Sequence, residues 1–173
     1  MSTLPEAYLG VIMPLIDKAR GFLERSDPLY PIAFVGNFTT QSTHPVLMNT
    51  EDQATKDATS RAIQGLAELC EADFVLVISE SCSLRKDKVP QMERIIAQYG
   101  SIGASPYRID SVSITLETPH GLWVTCLPIK PKGVSKKKRT FGAPDFQLFT
   151  EVEGRFAHLL PKRQAEETTE SLH

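Results

Sequence analysis

The chain has 173 residues, 41% of them hydrophobic and 23% charged, with a net charge of −2. These are ordinary proportions for one soluble globular domain. No apolar run approaches the ~20 residues of a membrane span, and Met1-Ser2-Thr3-Leu4-Pro5-Glu6 lacks the basic and apolar regions of a secretory signal, so membrane and secreted classes are disfavoured and a cytoplasmic location is expected.

Thr3, Pro5 and Glu6 predict a capped helix start. Tyr8, Ile12, Leu15, Ala19 and Phe22 continue it at helical spacing, with Pro14 predicting a kink. Residues 32–35 read as a first strand. The polar run 37–44 reads as a long loop, and 46–48 as a second strand completing a hairpin. Thr50 and Gln53 predict another capping box, opening a helix whose apolar face is Ala58, Ala62, Leu66, Leu69 and Cys70.

Phe74-Val75-Leu76-Val77-Ile78 has no alternation, which predicts a strand covered on both faces at the centre of the sheet. It runs into the polar cluster Ser79-Glu80-Ser81-Cys82-Ser83. Pro90, Met92, Ile95, Ile96 and Tyr99, closed by Gly100, predict a short helix. Val112, Ile114 and Leu116 alternate with polar residues up to Thr118-Pro119-His120-Gly121, a turn sequence. A three-residue loop there pairs Thr118 with Leu122, sets Leu116 against Val124 and Ile114 against Cys126, and leaves Trp123 and Leu127 on the outer face. Residues 146–149 predict an edge strand. A last helix is expected over 150–160 through Val152, Phe156, Leu159 and Leu160, followed by a disordered polar tail over 161–173.

This order predicts a single α+β domain over residues 1–160. Its sheet is mixed, mainly antiparallel, of five or six strands, with helices packed on it. The helix, the apolar strand ending in Val77-Ile78-Ser79-Glu80 and the following hairpin resemble a group of uncharacterised prokaryotic proteins whose strand ends in Ser-Glu-x-Trp. The resemblance covers about residues 50–127, Cys82 stands where those proteins carry Trp, and it implies no function.

Three features are candidates for a site. The end of the central strand gathers Glu80, Cys82 and Arg85 in sequence, a candidate cleft. A thiol near cations can become a nucleophile, but neither His44 nor His120 is placed beside Cys82 as a base, and a free Cys commonly serves as a small packing group. Glu80 needs either an exposed setting or a partner, and Arg85 is the nearest cation in sequence. The third feature is charge. Residues 130–139 hold six cations and no acid, so a chain of net charge −2 carries −8 elsewhere. Lys136, Lys137, Lys138 and Arg139 are the candidate nucleic-acid contacts, through phosphates in a salt-sensitive manner, with Phe141 the only aromatic close by and hence little base stacking.

Cys70, Cys82 and Cys126 form no Cys-x-x-Cys pair, and the four histidines occur singly. Neither a disulfide framework nor a metal site is expected, nor any cofactor, since phosphate-loop and nucleophile-elbow sequences are missing. The sequence thus favours a binding or accessory protein acting by protein–protein contact as a homodimer, because Trp123 and Leu127 are expected on an outer face. Nucleic-acid binding through the basic segment is the alternative, and a Cys82-dependent enzyme the lesser one.

Overall fold

The computed structural model describes residues 3–154 and 156–161. The elements run α1 (Glu6–Glu24), β1 (Ile32–Asn37), β2 (Ser42–Leu47), α2 (Gln53–Leu69), β3 (Phe74–Leu84), a 3₁₀ turn (Lys86–Gln91), α3 (Met92–Tyr99), β4 (Arg108–Thr118), β5 (Gly121–Pro128), β6 (Lys130–Pro131), β7 (Arg139–Thr140) and β8 (Gln147–Phe149). Six strands form one sheet in the order β2-β1-β3-β4-β5-β8, and β6 with β7 forms a separate two-stranded ribbon. Every pairing is antiparallel, so the α+β architecture is as the sequence predicts, without the parallel component of a mixed sheet.

The uninterrupted apolar run of β3 is explained by two cores. Phe74, Leu76 and Ile78 face α1, where Ile12, Ile16, Ala19 and Leu23 are buried. Val75 and Val77 face the other way, onto Ile63 and Ala67 of α2 and onto Leu159. Each fully buried Leu or Ile contributes roughly 1.5–3 kcal/mol. Both helices turn differently from the predicted stripes: Phe22 and Leu69 are exposed. Gly36 in β1 lies opposite Phe74, and a Cβ there would sit 2.1 Å from the ring. Only glycine leaves room for that ring.

Caps and loops also shift. No side chain caps α1, whose N-cap is Pro5. Asp52, not Thr50, caps α2, in a box completed by Thr55. The β1–β2 loop is short because residues 42–44 pair as strand. Asn37 closes this corner by donating to Cys70 O and Glu71 O at 3.0 and 2.8 Å. The helix closed by Gly100 and the edge strand β8 lie where the sequence predicts them.

The β4–β5 hairpin takes the register that the apolar pattern disfavours. Thr118 pairs with Gly121, Leu116 with Trp123 and Ile114 with Thr125. The loop has two residues, and Thr118 Oγ1 holds it by accepting His120 N–H and donating to Gly121 O, both at 3.2 Å. Gly121 has φ +138, and a Cβ there would approach Phe149 O to 2.7 Å. Trp123 therefore turns inward, 4% exposed, beside Leu116. Leu127 is half-buried against the same core, and Cys126 is exposed on the opposite face. The outer apolar patch that motivated a dimer is not formed by these residues.

Among the described residues of 150–160 there is no helix. Gly154 (φ +156) and His158 (φ +57) interrupt it, and the amides of Leu159 and Leu160 donate to the Glu117 carboxylate at 2.8–2.9 Å. That bond seats Leu159, 1% exposed, in the core under α2. The predicted tail lies, except for Pro161, outside the described residues.

Candidate polyanion-binding interface

β3 does not end at the polar cluster; it pairs with β4 as far as Leu84. Glu80 and Cys82 are thus strand residues with side chains on the α1 face, one past and two past the buried Ile78 on the same side. They do not converge with Arg85. Arg85 makes a two-pronged bond with Asp87, at 2.8 and 3.1 Å; its hydrogen bond to Asp87 is the main cause holding the Asp87 carboxyl below its usual range. Glu80 is met instead by Arg139, at 3.4 Å. Cys82 pairs across the sheet with Asp110, while His120 lies in the turn past Thr118, which is itself eight residues from Asp110, or ~27 Å along the strand. His44 is in β2, opposite Val35. Neither histidine stands beside the thiol as a base. Among the described residues no group of three His, Cys, Asp or Glu side chains could hold a metal.

The basic segment is built rather than loose. Ile129 N–H donates to Asp110 O at 2.8 Å, after which the chain leaves the sheet. Lys130 then pairs with Thr140 and Pro131 with Arg139. Lys132 N–H extends the ribbon to Lys138 O at 2.9 Å. At the tip, Ser135 Oγ accepts the amides of Lys137 and Lys138 at 3.3 and 3.1 Å, which satisfies backbone donors that a turn would otherwise leave to water.

Three side chains secure the base. Glu24, the last residue of α1, accepts from Lys132 Nζ at 3.1 Å and Thr140 Oγ1 at 2.9 Å. The Lys132 bond, followed by the Thr140 bond, holds the Glu24 carboxyl below its ordinary value. Arg20 donates to Phe141 O and Gly142 O, both at 3.1 Å, with its guanidinium 4.6 Å from the Phe141 ring centroid. Arg20 also pairs with Asp17. Arg139 closes the other side on Glu80.

At the base Lys132 and Arg139 are paired with carboxylates while Lys130 is exposed without an ion pair among the described residues, and at the tip no lysine is paired. Lys136, Lys137 and Lys138 are exposed, and among the described residues none of them forms an ion pair. Of the four predicted contact cations, Arg139 is committed to Glu80, and three remain outward. Phe141 is 3% exposed beneath Arg20 and offers no open ring for a base. Sequence reasoning found the lysines but missed Arg20 and Glu24. The signal was the charged row Asp17, Arg20, Glu24 at helical spacing along α1.

No family model matches this chain, and no curated protein or solved structure does. No helix among the described residues is long and apolar enough to cross a membrane.

Proposed function

We propose that this is a nucleic-acid-binding protein that grips the phosphate backbone with the ribbon tip. The observation that carries the reading is the division of charge within residues 130–139. Lys132 and Arg139 are used to anchor the ribbon on Glu24 and Glu80, which holds three further lysines outward from an otherwise acidic body. Ordered presentation lowers the entropy lost on contact compared with a loose loop. With no open aromatic at the ribbon, binding is expected to be independent of base sequence and steeply dependent on salt. A reducing cytosol suits the three free thiols.

The test is fluorescence anisotropy of labelled single- and double-stranded DNA over a salt series, with wild type beside Lys136→Ala/Lys137→Ala/Lys138→Ala. The variant is expected to lower the slope of log K against log [salt] by about 2–2.7. An unchanged slope contradicts the reading, as does no wild-type binding at low salt.

A protein partner, a second copy included, is the second reading. It is supported by the open edge of β2, where Leu47 is 74% exposed, with Tyr30, just before β1, exposed at 67%; edges of this kind invite pairing. Light scattering is expected to show a dimer that Leu47→Lys returns to monomer. A wild-type monomer at high concentration removes it.

A further inference from the structure

The ribbon does not project freely from β5. In the sheet register Glu80 is opposite Val112, and Val112 opposite Leu127. To reach Glu80, Arg139 must cross the whole of β4 and meet β3 on its α1 face. The ribbon base is thus laid across the β3–β4 end of the sheet. From Glu80 to the last residue of β3 is four positions, or ~13 Å. Immediately beyond come Arg85, Lys86 and Lys88, and beside them Arg108, which pairs with Leu84.

These cations are not equivalent. Arg85 is bound by Asp87 and Arg108 by Asp110, at 2.8 and 3.3 Å. Lys86 and Lys88 have no ion pair among the described residues. Lys88 places its ammonium 4.7 Å from the centroid of Tyr107, whose main-chain oxygen accepts Arg85 N–H at 3.0 Å. Arg85 also approaches the same ring, at 5.8 Å. Tyr107 is therefore occupied by the protein's own cations and serves to hold them in place, a cation–π arrangement, rather than to stack a base.

We infer that Lys86 and Lys88 form a second phosphate-binding patch, and that one nucleic-acid strand bridges it to the lysine tip. The inference rests on the reading proposed above and adds a footprint to it. The ~13 Å from the ribbon's anchor at Glu80 to the end of β3 corresponds to about four phosphates at 3.4 Å each along a duplex strand, and the lysine tip stands beyond that anchor. A strand long enough to reach both patches gains the second contact intramolecularly, at high effective concentration. Binding then depends on length: a short oligonucleotide uses one patch, a long one uses both.

The experiment compares oligothymidylate probes of about 4 and about 24 nucleotides, each titrated across salt by anisotropy. Wild type is run beside Lys86→Gln/Lys88→Gln and beside the Lys136/Lys137/Lys138→Ala variant. Glutamine removes the charge and keeps a polar side chain at both exposed or half-exposed positions, and circular dichroism verifies that the fold is retained. For the long probe, the Gln variant is expected to lower the salt slope by about 1.4, at ~0.7 per contact on a single strand. The short probe is expected to show a smaller change. If the Gln variant matches wild type on the long probe while the ribbon variant loses binding, the second patch is overturned and the ribbon reading stands. If neither variant changes binding, both are overturned.

Discussion

Trp123→Ala is expected to destabilise the protein by about 3–5 kcal/mol, the range for deleting a large aromatic from a core. In a chain of this size that lowers the melting temperature by roughly 6–20 °C. The indole is 4% exposed and packs with Leu116, Ile114 and α1. The same substitution separates the two hairpin registers. With Leu116 opposite Val124, Trp123 would lie on the outer face and its removal would cost about 0.5 kcal/mol or less. Thermal unfolding decides between them: a shift of only a degree or two contradicts the inward Trp123. Cys126→Ser supplies the complementary control, because an exposed residue is expected to tolerate it.

Glu117→Gln is expected to free the segment that follows β8. The carboxylate presents acceptors only, and it receives Leu159 N–H on both oxygens and Leu160 N–H on one. An amide at this position turns an NH₂ toward those donors, at a cost of about 1–3 kcal/mol. Hydrogen exchange at Leu159 and Leu160 is expected to accelerate at least tenfold, with smaller changes in β3.

The pH dependence has a definite sign. Burial is the largest influence on Glu117 and raises its pKa above the ordinary 4.5, against the opposing amides of Leu160 and Leu159 and the nearby His158. A carboxyl with a raised folded-state pKa binds protons more readily when folded. Its contribution is fully present below 4.5 and is lost as pH rises through the raised value. The stability gap between wild type and the Gln variant is therefore expected to widen as pH falls from the raised value toward 4.5. Denaturant midpoints measured across that interval give the answer, and a narrowing gap contradicts the assignment.

What the sequence makes legible here is local. The Phe74–Ile78 run declares a strand covered on both faces because two cores require apolar side chains of both parities. Gly100 ends α3 as its position after the last periodic residue implies. The register of β5 is not legible, since Leu122, Val124 and Cys126 alternate with Trp123 and Leu127. Both parities carry apolar residues, and polar Thr125 on the inward one makes the count of matches favour the register that is not adopted. The turn decides, through Thr118 Oγ1 and the close approach of Gly121 to Phe149. The missing last helix follows from the same kind of non-local cause. Its apolar spacing is helical, but a carboxylate 42 residues away takes the Leu159 amide.

The candidate interface divides the same way. The run Lys136-Lys137-Lys138 is plain in the sequence, and its charge is what any reader would notice. Its anchors are not. Lys132 meets Glu24 across 108 residues, and Phe141 O meets Arg20 across 121. Those contacts turn a basic segment into an oriented ribbon, and they exist only once α1 lies on the sheet. Arg85 takes the opposite charge nearest to it in sequence, Asp87, and so leaves Glu80, whose nearest cation in sequence it is, to Arg139, 59 residues away.

The most direct test of the account is an amide chemical-shift map of the isotope-labelled full chain titrated with a short duplex DNA at low salt. The largest changes are expected at residues 133–138, spreading to Lys86 and Lys88 as the duplex lengthens, and all of them reversing when salt is raised. Shifts concentrated instead in the groove between Leu9 and Leu148, or none at all, would contradict the lysine ribbon as the binding surface.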